Sequence, residues 1–250
     1  MNYKNRREEK EKIILKFLKS EGFSTRKILG ELLKVSRTSI SRTLKSLERR
    51  GLLMESDVNF CFDQRSPSLW GLTPTGAFEA TEDGKYRHFD PNRVSEITIR
   101  HELAIQSTKI KAIHLGWNEW LGGRGLRKLA VAERKLKNAG GINSLTWLQI
   151  PDAFAVSPKG RKIAFEIERT IKTPERYEEI FKSYCQMLVD GTVQEIVYVC
   201  PEDKCVRLER LIFSIETVLI GGLIRPVNDS FRKRFHFVTY KEWEDYAKNF

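Results

Sequence analysis

Cysteine is scarce in this sequence, and its positions exclude two classes of small stabilised domain. The four cysteines in 250 residues are Cys61, Cys185, Cys200 and Cys205, and no two pairs of them have the spacing of a zinc site. A secreted scaffold built on disulfides needs a much higher density of cysteine. We therefore expect reduced thiols in a cytoplasmic protein.

The sequence also lacks a long apolar run. Residues 1–12 are mostly charged, unlike the apolar segment of a secretory signal. The longest apolar stretch, Leu211 to Ile224, contains Glu216 and Gly221-Gly222 and is shorter than the roughly 20 residues that span a membrane. We expect no membrane insertion, and we expect this stretch to be mostly a buried helix.

Acidic residues are outnumbered. The chain has 44 Lys and Arg against 33 Asp and Glu, which gives a net charge of +11. Such a balance favours a polyanionic partner, although many soluble proteins are basic. The apolar fraction of 40% is ordinary, so a chain of this length can form two domains with their own cores.

Short amphipathic helices are predicted in the N-terminal third, with a tight turn at Val35-Ser36 before the last of them. They cover Glu8 to Ser20, residues 25–33, and Arg37 to Arg50. This order is the helix-turn-helix pattern. The last helix carries the hydroxyl and cationic side chains that contact bases and phosphates in such domains: Arg37, Thr38, Ser39, Ser41, Arg42 and Lys45.

Two segments strengthen this assignment. Residues 36–53, SRTSISRTLKSLERRGLL, and residues 70–76, WGLTPTG, together resemble bacterial winged-helix domains. The resemblance implies a winged helix-turn-helix DNA-binding domain over residues 1–82, with Arg65 at the tip of the wing, and a linker over residues 83–96. Winged helices also mediate protein–protein contact, so that alternative stays open.

A hairpin rich in apolar residues is predicted from Gln149 to Val156 and from Arg161 to Arg169. Alternation along the second strand puts Glu166 and Glu168 on one face. Carboxylates within an apolar strand are costly unless a cation meets them, and Asp152 on the first strand can face Glu166. Converging carboxylates suit Mg²⁺ or Mn²⁺, which prefer oxygen ligands.

A helix follows this hairpin, with Thr173 as its cap and Pro174 in its first position. Lys172 lies just before the cap, where it can polarise a phosphate or orient a water. The alternative is that both glutamates form ion pairs on a solvated face, with Arg169, Arg176 or Lys172.

Pro151-Asp152, followed by Glu166-x-Glu168, resembles the metal-binding core of the restriction-endonuclease-like nucleases. Their pattern is Pro-Asp on one strand and (Asp/Glu)-x-Lys on the next, the PD-(D/E)xK motif. The resemblance implies catalytic roles for Asp152, Glu166 and Glu168. Here Glu168 occupies the lysine position, and Lys172 or Lys162 is implied as the substitute.

The other predicted elements complete a second domain over residues 97–250. A helix from Val94 to Leu115 carries Glu102, which is either a further metal ligand or an exposed glutamate. Gly122 to Gly125 is expected to be a loop. The basic segment from Leu126 to Ser144 either clamps a DNA backbone or is solvated. Strands are predicted at Trp117 to Leu121, Glu195 to Cys200 and Phe235 to Thr239. Helices are predicted at Asp203 to Leu219 and Lys241 to Lys248.

The whole set is similar to the replication-relaxation family, which includes MobC-type relaxases of mobilisable plasmids. The motifs that carry this similarity are RHELAI at residues 100–105, WNEW at 117–120, PDAF at 151–154, FEIERT at 165–170, and Lys172 with Arg176-Tyr177. The implied fold is α/β, or α+β over the whole chain, with a winged helix and a restriction-endonuclease-like mixed-sheet core flanked by helices.

The implied function is a metal-dependent endonuclease that nicks double-stranded DNA at a plasmid origin of transfer during conjugative mobilisation, with other relaxosome or coupling proteins as partners. One alternative is a non-catalytic replication or transcription regulator, and another is a relaxosome adaptor. Covalent attack by Tyr177 or Tyr184 is a further route, although both tyrosines fall on an apolar helical stripe. The sequence does not specify an oligomeric state.

Overall fold

The computed structural model describes residues 3–57, 68–80, 88–142 and 145–250. The chain divides into two compact units, Met1–Ile110 and Lys111–Phe250. The division falls within one helix, Glu96–His114, later in the chain than the predicted domain boundary at residue 97. Among the described residues, no helix combines the length and apolar character needed to cross a bilayer.

The N-terminal unit has the winged helix-turn-helix order that the sequence predicted. Its antiparallel sheet has the strand order β1-β3-β2. The wing tip and Arg65 lie outside the described residues. The elements are α1 (Tyr3–Glu21), β1 (Phe23–Thr25), α2 (Arg26–Leu32), α3 (Arg37–Arg49), β2 (Leu53–Asp57), β3 (Ser68–Leu72), α4 (Pro74–Glu79), a 3-10 turn (Pro91–Arg93) and α5 (Glu96–His114).

Side-chain caps mark the starts of α2 and α3. The hydroxyl of Thr25 accepts a hydrogen bond from the Ile28 backbone N–H, and that of Ser36 accepts one from the Ser39 N–H, each at 3.3 Å. These contacts satisfy helix N–H groups that otherwise have no intrahelical partner. The buried Ile40 and Leu44 then hold α3 against the core of the unit.

The first part of α5 belongs to this unit because of a buried polar contact. Gln106 accepts a hydrogen bond from the Ser24 hydroxyl at 2.7 Å and donates one to the Phe23 carbonyl at 2.8 Å. Ile110 also joins the apolar core of the unit. These contacts explain why the division between the units falls after residue 110.

The C-terminal unit is built on a mixed sheet of five strands in the order β10-β7-β6-β5-β4, as the predicted fold class requires. β4, β5 and β6 are antiparallel, and β6, β7 and β10 are parallel. The elements are β4 (Asn118–Gly122), α6 (Gly123–Asn138), β5 (Ala153–Val156), β6 (Lys162–Ile167), α7 (Pro174–Val189), β7 (Glu195–Cys200), α8 (Glu202–Phe213), β8 (Thr217–Ile220), β9 (Leu223–Pro226), α9 (Asp229–Arg232), β10 (Phe235–Thr239), α10 (Trp243–Tyr246) and a 3-10 turn (Ala247–Asn249).

The two faces of β6 have different surroundings, as its alternation predicted. Phe165 packs among tryptophans, with ring centroids 5.6 Å from Trp117 and 5.3 Å from Trp243. Ala164, on the opposite face, belongs to the core cluster that includes Tyr184 of α7. Glu166 therefore enters the apolar layer beneath α7.

Some predicted bounds were wrong. The helix predicted to reach Leu219 ends at Phe213, and a β8–β9 hairpin follows, with a turn at Gly221 and Gly222, whose φ values of 58° and 80° suit glycine. The first strand of the acidic hairpin begins only at Ala153. The glycines at 123 and 125 lie in α6 and not in a loop.

Candidate functional site

The hairpin of β5 and β6 brings two carboxylates together. Ala153 lies opposite Phe165, so one further step along the antiparallel register puts Asp152 opposite Glu166. The Asp152 side chain reaches β6, where its Oδ2 accepts a hydrogen bond from the Ile167 backbone N–H at 2.8 Å. That bond orients one Asp152 oxygen at the end of β6, beside Glu166.

Glu166 is held in a fixed orientation inside the unit. Its side chain is almost fully buried, with 5% of the residue exposed. Its Oε1 accepts hydrogen bonds from the Tyr184 hydroxyl at 2.5 Å and from Gln149 Nε2 at 3.2 Å. Burial, followed by the charge of Asp152, raises the pKa of Glu166 to about 8. Without a cation, Glu166 is therefore protonated at neutral pH.

Glu168 is also buried, but its charge is already met within the chain. Lys172 Nζ donates to Glu168 Oε1. Burial raises the pKa of Glu168, and Lys172 opposes that rise. The alternative of an ion pair with Lys172 therefore holds for Glu168, although the carboxylate is buried and not on a solvated face.

A buried hydroxyl without a partner lies next to Glu166. Tyr198 pairs with Glu166 in the parallel register of β6 and β7, so both side chains leave the same face of the sheet. Tyr198 is 1% exposed, and its hydroxyl makes no hydrogen bond among the described residues. Such a group costs about 1–3 kcal/mol. A polar ligand beside Glu166 would satisfy it.

The donor set decides which cation this place suits. Within the described ranges, no group of three or more His, Cys, Asp or Glu side chains is arranged to hold a metal. Mg²⁺, however, keeps several waters and is often bound by one or two carboxylates together with substrate phosphates. Asp152 and Glu166 fit that pattern, and a bound cation would favour the ionised form of Glu166. Binding of Mg²⁺ or Mn²⁺ remains a prediction.

Of the other predicted residues of this site, one belongs to the N-terminal unit and two are enclosed in the core. Glu102 is half-buried on α5 in the N-terminal unit, and its role as a ligand stays a prediction. Tyr177 and Tyr184 are buried in the core, as their helical stripe predicted. Burial raises the pKa of both tyrosines, so neither is activated as a nucleophile in this arrangement.

Nothing in the sequence marked Gln149 and Tyr184 as hydrogen-bond partners of Glu166, or Tyr198 as its neighbour in the sheet. Tyr184 and Tyr198 look like ordinary core residues in the sequence, since both follow apolar patterns. Only the packing of α7 and β7 against β6 brings their hydroxyls to Glu166. Gln149 precedes the strand, and no periodicity marks it.

On α3, four of the six predicted DNA-contacting residues are exposed. Arg37, Thr38, Arg42 and Lys45 are exposed, and Ser39 and Ser41 are half-buried. Lys45 Nζ is engaged with Glu48 at 2.9 Å and with Glu55 at 3.0 Å, and it lies over the Trp70 ring. Arg37 and Arg42 have no such ion pair within the part of the chain that the structure describes.

The N-terminus of α6 is hydrogen-bonded to the backbone of the carboxylate site. The Gly123 backbone N–H donates to the Asp152 carbonyl at 2.7 Å. A Cβ atom at Gly123 would lie 3.1 Å from the Pro151 carbonyl oxygen and 3.3 Å from the Asp152 carbonyl oxygen, which is closer than most Cβ contacts and would require the neighbouring backbone to shift slightly. Glycine at this position allows α6 to start directly beside Asp152.

No family model matches this chain, and no curated protein matches it either. Among solved structures, a single-substitution variant of Lactococcus lactis ZitR is 20% identical, with 53% of this chain and 72% of that chain covered and a TM-score of 0.26. A doubly substituted ZitR variant in apo form covers 55% and 84% at the same identity and TM-score. Likeness at that TM-score supports no argument on fold or function.

Proposed function

We propose that this chain binds double-stranded DNA through its winged helix and cleaves a phosphodiester bond with a divalent cation held by Asp152 and Glu166. The observation that carries the proposal is the facing pair of carboxylates at the end of a hairpin in a mixed sheet, with Glu166 buried and Asp152 half-buried. The exposed Arg37 and Arg42 on α3 can bind the phosphates of duplex DNA and so position the chain on it.

The side chains around the pair have separate tasks in this proposal. Tyr184 and Gln149 fix Glu166, and the Ile167 N–H fixes Asp152, so that two carboxylate oxygens are presented together. When bound, Mg²⁺ or Mn²⁺ supplies charge stabilisation at the phosphate and a water of lowered pKa. Lys172, whose side chain is 39% exposed, has a charge that can stabilise the phosphate as negative charge develops.

The similarity to the replication-relaxation family narrows the expected substrate. It favours nicking at a plasmid origin of transfer, with relaxosome or coupling proteins as partners. The buried tyrosines favour hydrolysis over a covalent tyrosine intermediate.

Incubation of supercoiled plasmid carrying the protein's own origin region with Mn²⁺, Mg²⁺ or EDTA tests this proposal. Open-circle product is expected with either metal and is expected to vanish in EDTA. It should also vanish in Asp152→Asn and Glu166→Gln. The control is Glu178→Gln, an exposed carboxylate on α7, which should cleave like the wild type.

A non-catalytic DNA-binding regulator, or a relaxosome adaptor, is the second candidate. The ion pair between Lys172 and Glu168 favours it, because the lysine that a nuclease would use is already neutralised by the glutamate at the usual lysine position. Wild-type protein that binds the origin region yet leaves it intact with both metals would favour this candidate. Co-purification of a relaxase or helicase would then distinguish the adaptor from the regulator.

A further inference from the structure

Helix α6 carries an unusual concentration of positive charge. It contains Arg124, Arg127, Lys128, Arg134, Lys135 and Lys137 against a single acid, Glu133. Glu133 does not neutralise them, because it is half-buried and accepts hydrogen bonds from the backbone N–H groups of Thr146 and Trp147. The helix thus has an excess of positive charge with no internal counterpart.

Most of these cations lie along one side of the helix. At about 100° per residue, five of the six fall within an arc of about 120°, centred near Val131, and Lys137 falls outside it. We call these five the α6 row: Arg124, Arg127, Lys128, Arg134 and Lys135. The opposite flank buries Leu126 and Ala130 in the core.

The α6 row is available to a partner. Arg127, Lys128, Arg134 and Lys135 are exposed, and Arg124 is half-buried. Within residues 3–57, 68–80, 88–142 and 145–250, no carboxylate forms an ion pair with any member of the row. A solvated helix usually intersperses both signs at i, i+4 spacing, and like charges at that spacing destabilise a helix. The uniform sign of the row therefore indicates a polyanionic partner.

The dimensions of the α6 row match a nucleic-acid backbone. From Arg124 to Lys135 the helix rises about 16 Å, which corresponds to about five phosphates along one strand of B-DNA. The row begins one residue after Gly123, whose N–H is bonded to the Asp152 carbonyl. A strand lying along the row would therefore run towards the pair of carboxylates.

We propose that the α6 row binds the phosphate backbone of duplex DNA and leads the strand to Asp152 and Glu166. This inference rests on the proposed function for its purpose, but not for the binding itself. An anionic membrane fits less well, because the apolar flank of the helix is packed in the core and leaves only three large apolar side chains of the helix exposed, Leu129, Val131 and Leu136. The binding of an interfacial helix increases with the apolar area that it buries in the lipid.

The test measures binding of the full chain to a 30-base-pair duplex of arbitrary sequence, in EDTA, by fluorescence anisotropy between about 50 and 200 mM NaCl. The test variant is Arg127→Gln with Lys135→Gln. The matched control is Lys137→Gln with Lys182→Gln, which removes two exposed positive charges, one of them on the same helix. The pair Arg127→Lys with Lys135→Arg changes both side chains and keeps both charges, so it shows whether the positive charge alone is sufficient for binding.

Each lost phosphate contact lowers the salt slope by about 0.9, so the test variant should lose about 1.8 from it. Its fall in affinity between 50 and 200 mM NaCl should then be about twelvefold smaller than that of the wild type. The control and the charge-preserving pair should keep the wild-type slope. Equal slopes in the test variant and the wild type, or equal losses in the test and control variants, would overturn the proposal.

Two further arms separate this inference from the nuclease and from lipid binding. Plasmid cleavage by the wild type is assayed separately from the binding measurement in EDTA, so a wild type that cannot cleave leaves the binding result intact, and cleavage with an unchanged slope refutes only the α6 row. Vesicles of phosphatidylserine and phosphatidylcholine are offered in the same buffer. Vesicle binding that the test variant loses, with its DNA binding unchanged, would assign the row to a membrane instead.

Discussion

The raised pKa of Glu166 predicts a stability that falls as pH rises. In the folded C-terminal unit, burial and the facing Asp152 raise the pKa of Glu166 from 4.5 to about 8. Between those values the folded state binds more protons than the unfolded state, so the free energy of unfolding decreases with increasing pH. The stabilisation that protonated Glu166 contributes is fully present below about pH 4.5 and is lost as the pH rises through about 8.

The substitution Glu166→Gln isolates this effect, because glutamine keeps an oxygen for Tyr184 and does not titrate. A full proton difference corresponds to about 1.4 kcal/mol per pH unit. The unfolding free energy of the wild type relative to the variant should therefore fall by about 2–3 kcal/mol between roughly pH 5.5 and 7.5. Comparison with the variant cancels the titration of other groups.

Urea denaturation in EDTA at a series of pH values measures this difference. Tryptophan fluorescence is a suitable signal, because Trp117, Trp120, Trp147 and Trp243 all lie in the unit that contains Glu166. A difference that stays constant across the range, or increases with pH, would refute the reasoning, since Glu166 would then be ionised in the folded protein. The control Glu178→Gln should show no such trend. Added Mn²⁺ should reduce the slope in the wild type, because a cation favours ionised Glu166.

Four other substitutions have expected outcomes. Tyr198→Phe removes a buried hydroxyl that has no hydrogen-bond partner among the described residues, and it should stabilise the metal-free protein by about 1 kcal/mol in urea denaturation. A loss of stability would indicate a hidden hydrogen bond. Lys172→Gln leaves Glu168 buried without its cation. The substitution should lower the free energy of unfolding by about 1–2 kcal/mol at pH 8, after allowance for the partial exposure of the lysine, and by less at pH 5. An equal loss at both pH values would count against the ion pair. Arg42→Gln should lower the salt slope of DNA binding by about 0.9. Lys45→Gln should lower it less, because Lys45 forms ion pairs with Glu48 and Glu55. A larger effect at Lys45 would show that Lys45, and not Arg42, is the main phosphate contact.

Local patterns in the sequence predicted the elements that depend on near neighbours. The turn before α3 could be predicted because Ser36 caps the helix and the buried Ile40 and Leu44 recur at helical spacing. The pairing of Asp152 with Glu166 followed from a short hairpin, since its turn fixes the register. Such features depend on a few residues close in the chain.

Contacts between distant segments were not predictable in the same way. The helix predicted from Asp203 to Leu219 ended early because Val218 and Ile220 are buried by a hairpin with the core, a contact that outweighs local helical spacing. The position of the division between the units depended on Gln106, whose partners lie more than 80 residues earlier in the chain.

Periodicity, caps and a short turn were enough to predict the mixed α/β class, the winged helix and the opposition of Asp152 and Glu166. The protonation state of the carboxylates, in contrast, depends on how distant segments pack. The hydroxyls of Tyr184 and Tyr198 come from other elements, and burial of Glu166 beneath α7 raises its pKa. The hydrogen bond that holds the start of α6 beside Asp152 is also a tertiary contact. The sequence could not predict these features, because the surroundings of a charged group depend on packing between distant segments and not on the order of neighbouring residues.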